Sequence, residues 1–292
     1  MCRFNSPRKP SPALLCIFDA VLRIQKVSSL DLPELQPYRT MRRQIPHREE
    51  GIFVAEGDKV VRRLLESEFG VVSVLFPEKW LDELKPLLDA RPEKEIAVFI
   101  AEKPLLEQLT GFAMYQGVLA IGKIPGTPSL EKILTTSPRP RLFAAADGLA
   151  DAENLGAVVR NCVAFGVQAM LVGETSSSPF LRRAVRTSMG TIFKLPAVER
   201  SNLAQTLRDL RGHGVRSIAA HPRADGKILS QANFEGDCCI VFGSEGLGVS
   251  PAVLEACDEA VAIPMHLDVD SLNVASATSV FLYEANRQRG KS

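Results

Sequence analysis

The sequence predicts an α/β protein in two parts: a smaller N-terminal α/β domain at residues 28–124 and a C-terminal parallel-sheet α/β domain at residues 141–292. Three observations predict this. Strand-like and helix-like hydrophobic patterns alternate through both parts. Residues 125–140, with prolines at four positions, interrupt the alternation as a linker would. The composition, 46% hydrophobic and 24% charged, is that of an ordinary globular protein.

The N-terminal part begins with a basic stretch, residues 1–27, that carries little hydrophobic pattern. We predict a disordered extension there, because such a segment has little apolar surface to bury. From residue 51 the patterns indicate strands at 51–57, 71–76, 96–100 and 117–124, with helices at 58–69, 78–88 and 103–109 between them.

After the linker, which contains a short helical candidate at 130–134, the alternation resumes. It predicts a mostly parallel sheet with helices on both faces. Strands are predicted at 141–146, 169–171, 192–195, 216–220, 238–242 and 259–263. Helices are predicted at 154–165, 180–188, 201–211, 251–256 and 274–289.

Composition disfavours several classes of protein. No apolar run reaches the roughly 18 residues that indicate a membrane-spanning helix. A stretch at 13–22 resembles a signal peptide, but Asp19 interrupts it and no small-residue cleavage site follows. Six cysteines without a CxxC pair favour a reduced, cytoplasmic setting, and the four histidines show no metal-ligand spacing. Because the net charge is only +1, a nucleic-acid partner has to be indicated by local patches.

The first candidate site segment is the turn and helix at 151–161. Asn154 can cap this helix, and acidic residues beside it suit the positive end of the helix dipole. Gly156 permits another backbone to approach closely, and Arg160 follows within two turns. A well-capped helix with a solvated arginine explains the segment as well as a reactive site does, so both interpretations stay open.

The second segment is rich in glycine. Gly243, Gly246 and Gly248 surround Glu245 where a buried strand ends, which is the edge at which open α/β sheets bind ligands. The spacing matches neither the GxGxxG dinucleotide fingerprint, nor a P-loop, nor the GxSxG elbow of esterases. A plain glycine turn is the alternative to a ligand-binding loop, while a nicotinamide-dependent dehydrogenase is disfavoured.

The third segment, residues 267–284, gives the strongest indication of function. A strand ends at Pro264, and a polar loop then leads to Ser271 and Asn273 at the start of the last helix. We expect Ser271 to be the N-cap. Residues 275–279 are nearly all small, which predicts tight packing against another backbone. Packing without chemistry is the alternative.

A fourth feature is a set of arginines at helical spacing: Arg182, Arg183 and Arg186. Such a set can bind RNA phosphates. A solvated helix face is the alternative.

Taken together and in this order, the three segments resemble the motifs of the SpoU/TrmH family of RNA 2′-O-ribose methyltransferases, within the SPOUT superfamily. The motifs here read Asn154-x-Gly156-x-x-x-Arg160, then Gly243-Ser-Glu245-Gly246-x-Gly248, then Ile263-Pro-Met265 followed by Ser271-Leu272-Asn273-Val274. The resemblance covers residues 142–289. Residue 152 departs from the pattern, because alanine stands there where the family usually has proline.

The resemblance implies a C-terminal segment threaded into a deep trefoil knot, a homodimer formed through this domain, and S-adenosylmethionine as methyl donor, with S-adenosylhomocysteine as product and no metal. It implies a reacting centre formed by Asn154, Arg160, Glu245, Ser271 and Asn273. It implies donor binding by Gly243, Gly246, Ile263, Met265 and Leu272. Arg160 would act either as the base or as an orienting, charge-stabilising group, because a guanidinium normally keeps its proton.

Residues 51–57 and 60–65 resemble the family's substrate-binding domain, which is similar to a small RNA-binding ribosomal-protein fold. Tyr115 stands where a histidine is often found. Because tRNA-acting members typically lack this domain, the expected substrate is a ribose 2′-hydroxyl of ribosomal RNA, with tRNA as the alternative. A catalytically inactive RNA-binding protein of the same fold is the alternative from another class.

Overall fold

Two β-sheets organise the chain, one before and one after the proline-rich segment. The computed structural model describes residues 21–110, 117–222, 227–266 and 270–290. Tyr115, residues 1–20 of the predicted extension, and residues 267–269 of the third segment lie outside these ranges.

The first sheet has five strands in the order β1-β4-β3-β5-β2. Its strands are β1 Val21–Val27, β2 Ile52–Glu56, β3 Val71–Phe76, β4 Glu95–Ala101 and β5 Leu119–Lys123. Its helices are α1 Gln36–Arg39, α2 Gln44–Glu49, α3 Asp58–Leu65, α4 Leu81–Asp89 and α5 Lys103–Thr110. Strand β5 runs antiparallel to both β2 and β3, whereas β4 is parallel to β1 and β3. The predicted order of strands and helices from residue 51 is confirmed, and α1 and α2 are additions.

Strand β1 shows that the prediction of a disordered extension at residues 1–27 is wrong for residues 21–27. Its seven residues pair in parallel with β4, from Val21 opposite Glu95 to Val27 opposite Ala101. Only Val27 of the strand's side chains is described as buried, and Ile24 is 45% exposed. Main-chain hydrogen bonding at a sheet edge therefore holds this strand, and a search for hydrophobic pattern could not find it.

The second sheet has six parallel strands in the order β11-β9-β10-β6-β7-β8. The strands are β6 Leu142–Asp147, β7 Ala169–Val172, β8 Ala197–Glu199, β9 Arg216–Ala220, β10 Cys238–Gly243 and β11 Glu259–Val261. The helices are α6 Leu130–Thr136, α7 Ala152–Ala164, α8 Arg182–Thr187, α9 Leu203–Gly212, α10 Pro251–Ala256 and α11 Val274–Gln288. The predicted parallel α/β domain is confirmed.

Alternate side chains of β6 show how the helices cover both faces of this sheet. Phe143 and Ala145 pack in one core cluster with residues of α6, α9 and α10. Ala144 and Ala146 pack in another cluster with residues of α7, α8 and α11. This division matters for the site, because α7 and α11 lie side by side on one face.

The short helix predicted at 130–134 within the linker is confirmed, and the strand predicted at 192–195 is wrong. Helix α6 lies within the predicted linker at 125–140, yet its Ile133 and Leu134 are buried in the core of the second sheet. The predicted strand at 192–195 is a 3₁₀ turn, Thr191–Lys194, and the strand follows as β8. A short apolar run does not distinguish a strand from a buried turn, and Ile192 and Phe193 are buried in either case.

Four phenylalanines join the two parts of the chain: Phe53, Phe69, Phe180 and Phe193. Their ring centroids lie 5.3–6.2 Å apart, within the range of favourable aromatic pairs. Arg63 adds a hydrogen bond to the Met189 carbonyl oxygen at 2.6 Å. The first sheet is thus packed against the second by an apolar interface.

A buried carboxylate strengthens the same interface. Glu56, at the end of β2, is 8% exposed and accepts hydrogen bonds from Arg182 and from Arg186 Nη1, the latter at 3.2 Å. Two of the three arginines predicted to bind RNA are therefore paired with Glu56: Arg182 is largely buried, and Arg186 is exposed. Arg183 is exposed and has no ion-pair partner among the described residues.

We expect Glu56→Gln to lower the free energy of unfolding by about 2–4 kcal/mol, because it leaves the largely buried Arg182 without its counter-charge. Urea denaturation of the whole chain measures this. Glu83→Gln is the matched control, since Glu83 pairs with Arg62 but is 57% exposed, and surface pairs contribute at most about 1 kcal/mol. Equal effects of the two substitutions would contradict a structural role for Glu56.

Candidate active site

A cavity of about 590 Å³ lies at the carboxyl ends of β9, β10 and β11, the edge at which parallel α/β sheets bind ligands. Seven of the predicted site residues line it: Gly243, Glu245, Gly246, Ile263, Met265, Ser271 and Leu272. The structure therefore brings the second and third sequence segments to one cavity. Val274, Ala277 and Phe281 of α11 form part of its wall.

The loop after β10 is a closed turn. Ser244 and Gly248 exchange two backbone hydrogen bonds of 3.0 and 2.9 Å, and Ser244 Oγ accepts the Leu247 N–H at 3.2 Å. Gly248 has a φ of +70°, in the left-handed region that favours glycine. The turn carries Glu245 and Gly246 at its tip, beside the cavity.

Gly243 and Asp147 fix the two ends of this turn. A Cβ atom at Gly243 would lie 2.1 Å from the Gly248 carbonyl carbon and 2.2 Å from the Val249 nitrogen. Asp147, 5% exposed, accepts the Ser250 N–H at 2.6 Å. Sequence reasoning missed Asp147, although a carboxylate ending an apolar strand is a usable signal. Parallel pairing sets it opposite Gly243.

Asn273 joins all three sequence segments through hydrogen bonds. Its Nδ2 donates to Asn154 Oδ1 at 3.1 Å and to Glu245 Oε1 at 2.5 Å. Its Oδ1 accepts the Ala275 N–H at 2.9 Å, which fixes the orientation of the amide. We refer to Asn154, Glu245 and Asn273 as the polar cluster. It unites residues more than a hundred positions apart in the chain.

The N-cap residues of α7 and α11 differ from those predicted, and the Asn154 side chain is therefore not needed as a cap. Asp151, not Asn154, caps α7 by accepting the Asn154 N–H at 2.8 Å. Asn273, not Ser271, caps α11. Because Asp151 satisfies the helix end, the Asn154 side chain is available to the polar cluster.

Gly156 has the role that its size predicts. A Cβ atom there would lie 2.4 Å from the Ala184 carbonyl oxygen, so the backbone of α8 packs directly on α7. On the other side of α7, Asn161 Nδ2 donates to the Ala275 carbonyl oxygen at 2.7 Å. This contact confirms that the small-residue start of α11 packs closely against another helix.

Asn154 and Asn273 do not line the cavity but are hydrogen-bonded to its edge through Glu245, whereas Arg160 neither lines the cavity nor belongs to the polar cluster. It lies six residues after Asn154 on α7, about 9 Å along the helix axis. Its side chain is exposed and does not line the cavity. Within the described residues it has no hydrogen-bond or ion-pair partner.

The described lining of the cavity is acidic. Glu245 and Asp270 contribute carboxylates, His221 adds an imidazole, and none of the lining residues is lysine or arginine. Sequence reasoning missed His221 and Asp270, which carry no motif of their own. A ligand with positive charge is favoured here.

Burial raises the pKa of several cysteine thiols. Desolvation raises the pKa of Cys162 and Cys257 to about 12 and that of Cys238 to about 11, so these thiols stay protonated at neutral pH. Among the described residues, no three His, Cys, Asp or Glu side chains are grouped to hold a metal ion. No helix in the same ranges is long and apolar enough to cross a membrane.

We expect Asn273→Asp to lower kcat/KM at least about tenfold, or about 1.4 kcal/mol, because a second carboxylate beside Glu245 replaces the shared amide donor. Stability should change by less than about 0.5 kcal/mol, since Asp and Asn are equivalent N-caps. Asn273→Ala removes both functions and should also lose about 1 kcal/mol of stability. Turnover kinetics and urea unfolding measure the two effects. Full activity of the Asp variant would remove the polar cluster from the reaction.

The sequence of this chain is similar to those of known RNA methyltransferases. Residues 141–283 match the SpoU rRNA Methylase family. An uncharacterized tRNA/rRNA methyltransferase of Mycobacterium tuberculosis strain H37Rv is 32% identical over 274 residues, covering 91% of this chain and 93% of that protein. The 23S rRNA (guanosine-2′-O-)-methyltransferase RlmB of Escherichia coli K12 is 33% identical over 210 residues, covering 70% of this chain and 85% of that protein.

The likeness extends to three dimensions and to both sheets. A solved RNA 2′-O ribose methyltransferase superposes with a TM-score of 0.75 at 27% identity, covering 91% of this chain and 99% of the other. The matching segment 141–283 contains the cavity-lining turn, the polar cluster and Arg160. The chain belongs to the SpoU rRNA methylase family.

Proposed function

We propose that this RNA methyltransferase transfers a methyl group from S-adenosylmethionine to a ribose 2′-hydroxyl of ribosomal RNA. The observation that carries the proposal is the polar cluster, in which Asn273 connects Asn154 to Glu245 at an acidic cavity. This arrangement combines a compartment for the donor with hydrogen-bonding groups for a hydroxyl.

The cavity fits S-adenosylmethionine in size and charge. Its volume of about 590 Å³ is within the range of about 300–1,000 Å³ typical of small-molecule sites. Apolar side chains of Ile263, Leu272 and Phe281 suit an adenine ring, and backbone groups of the glycine turn can bond its polar edge. Glu245 and Asp270 complement the sulfonium and ammonium charges.

The polar cluster can orient the attacking hydroxyl. S-adenosylmethionine supplies an electrophilic methyl group and leaves as S-adenosylhomocysteine. Because Asn273 Nδ2 is engaged on both sides, Asn154 Nδ2 and the second Glu245 oxygen are the groups available to a ribose. An amide donor and a carboxylate acceptor can fix the 2′-oxygen in line for attack and hold its proton.

Ribosomal RNA is the proposed substrate because of the first sheet and the relatives. RlmB, named for 23S rRNA, is 33% identical, and the similarity to the mycobacterial relative spans 91% of this chain. A first sheet packed firmly on the second favours a large, structured RNA. We further propose a cytoplasmic location, which the free cysteines Cys162, Cys238, Cys239 and Cys257 support.

We also propose a knotted C-terminal segment and a homodimer formed through α7 and α11. Val280 and Tyr283 are 38% and 55% exposed and lie on one face of α11, because they are three positions apart; an exposed apolar patch can mark a contact between proteins. Arg160 is exposed on the adjacent helix α7. A dimer through this face would bring Arg160 of one protomer toward the cavity of the partner subunit, and no arginine is found among the described residues that line that cavity.

A methylation assay tests the proposal. Purified protein is incubated with labelled S-adenosylmethionine and either ribosomal RNA or tRNA from cells lacking this gene. We expect label in ribosomal RNA and none in tRNA. Label in tRNA alone would overturn the choice of substrate. Binding of both RNA and S-adenosylmethionine without transfer would favour the alternative, an inactive RNA-binding protein. Sedimentation of the same preparation tests the dimer.

A further inference from the structure

A second cavity, of about 580 Å³, lies between the two sheets. We call it the interdomain cleft. Its walls are formed by α2 and the turn before it, by β2, and by the segment that leads into α8. The lining residues are Met41, Arg42, His47, Arg48, Ile52, Phe53, Val54, Ile124, Ser178, Phe180, Leu181, Arg182 and Arg183.

The charge of the interdomain cleft is one-sided. Four arginines line it, and none of the described lining residues is aspartate or glutamate. Two of the four form ion pairs with carboxylates that do not line the cleft: Arg182 pairs with Glu56, and Arg48 pairs with Glu199 at 2.6 Å. Glu199 also accepts the Ser178 hydroxyl at 2.6 Å, which fixes that side chain at the wall.

The remaining two, Arg42 and Arg183, are exposed and have no counter-ion among the described residues. One comes from each part of the chain. Because the phenylalanine contacts hold the two parts together, packing fixes the positions from which these two side chains extend. A solvated helix face explains exposed arginines on a convex surface, but these two arginines line a concavity.

The floor of the cleft suits a nucleotide rather than a bare anion. Ile52, Ile124 and Leu181 are only half-buried there and offer apolar surface to a base or a ribose. His47 contributes a hydrogen-bonding ring, with Nε2 3.0 Å from Thr40 Oγ1. Single-stranded nucleic acid is bound by positively charged grooves that follow its backbone, and the apolar floor of this cleft adds a surface for a base or a ribose.

The cleft opens at the same sheet edge as the donor cavity. Arg182 and Arg183 follow the carboxyl end of β7, and Glu199 ends β8. Three strand steps separate β8 from β10, about 14 Å at about 4.8 Å per step. One RNA strand can therefore occupy both places at once.

We propose that the interdomain cleft binds a single-stranded segment of the substrate RNA flanking the methylated nucleotide, with Arg42 and Arg183 contacting its phosphates. The inference rests on the proposed function for the identity of the substrate. It adds a second RNA contact that spans both parts of the chain, away from the reacting ribose.

The test compares Arg42→Ala/Arg183→Ala with the intact chain. Arg208→Ala is the matched control, because Arg208 is an exposed arginine on α9, on the opposite face of the second sheet. Fluorescence anisotropy with a labelled ribosomal RNA fragment gives Kd over a series of KCl concentrations. Calorimetry gives the Kd for S-adenosylmethionine.

We expect the double variant to bind RNA at least about tenfold more weakly and to lose about 1.4 from the slope of log K against log salt, since each single-strand phosphate contact contributes about 0.7. Donor binding and kcat at saturating RNA should be unchanged. Arg42→Lys/Arg183→Lys should retain the slope. Arg208→Ala should match the intact chain in every respect.

An intact chain that binds RNA, with a double variant that binds it equally well, would overturn this inference and leave the proposed function standing. An intact chain that binds no RNA would overturn both. A third outcome is that labelled ATP, used as a nucleotide probe, binds the intact chain and not the double variant, while RNA binding is unaffected. That result would assign the cleft to a free nucleotide and also overturn the inference.

Discussion

Arg160→Ala is expected to lower kcat by at least about 100-fold, the scale of a lost transition-state contact, while the Kd for S-adenosylmethionine stays unchanged. The two effects separate because Arg160 is exposed on α7 and does not line the donor cavity. Single-turnover methylation and calorimetry measure them. Arg208→Ala is the control for removing one exposed guanidinium, and wild-type turnover by Arg160→Ala would exclude the residue from the reaction.

Mixed dimers test the proposal that Arg160 of one chain serves the cavity of its partner. At a concentration of S-adenosylmethionine well below the Kd of Gly243→Ala, we expect a dimer of one Arg160→Ala chain and one Gly243→Ala chain to be more active than either variant alone. The first chain then supplies an intact cavity, and the partner supplies the arginine. If Arg160 served its own chain's cavity, both sites of the mixed dimer would be defective and activity would stay at the level of the single variants.

Gly243→Ala is expected to raise the Kd for S-adenosylmethionine at least about tenfold and to lower the free energy of unfolding by about 1–3 kcal/mol, the usual range for overpacking. The new methyl group would overlap the backbone of Gly248 and Val249. Unlike a flexible side chain, that backbone cannot move aside without opening the turn, because Ser250 is tied to Asp147.

Gly212→Ala is the matched control for this substitution. A Cβ atom at Gly212, at the end of α9, meets nothing within 4 Å, and alanine in a helix is more favourable than glycine by about 0.5–1 kcal/mol. The control should bind the donor normally and unfold at equal or higher urea concentration. Normal donor binding by Gly243→Ala would contradict the role given to the turn.

Much of the site could be predicted because its signals are local. The close backbone approach predicted at Gly156 is confirmed, since a Cβ atom there would lie 2.4 Å from a neighbouring backbone atom; Gly243 has a similar requirement, at 2.1 Å, that the sequence did not predict. The glycine turn ends a buried strand, so its place at the carboxyl edge of the sheet follows from topology alone.

Some predictions were wrong because the contacts that decide them join residues distant in sequence. Strand β1 is held by main-chain pairing with β4, and Arg182 is neutralised by Glu56, 126 positions earlier. No local pattern reveals either contact. The predicted N-caps were wrong for a different reason. Asp151 and Asn154 are both good N-cap residues, and only the geometry of the turn selects between them. The trefoil knot stays a prediction, because strand order does not record threading.

The most direct test of the central claim is the position of the transferred methyl group. Ribosomal RNA from cells lacking this gene is incubated with the purified protein and S-adenosylmethionine, then digested to nucleosides and analysed by mass spectrometry. We predict one new 2′-O-methylnucleoside whose fragmentation retains the methyl group on the ribose, and its slower formation by Asn273→Asp. A methyl group retained on the base would contradict the claim.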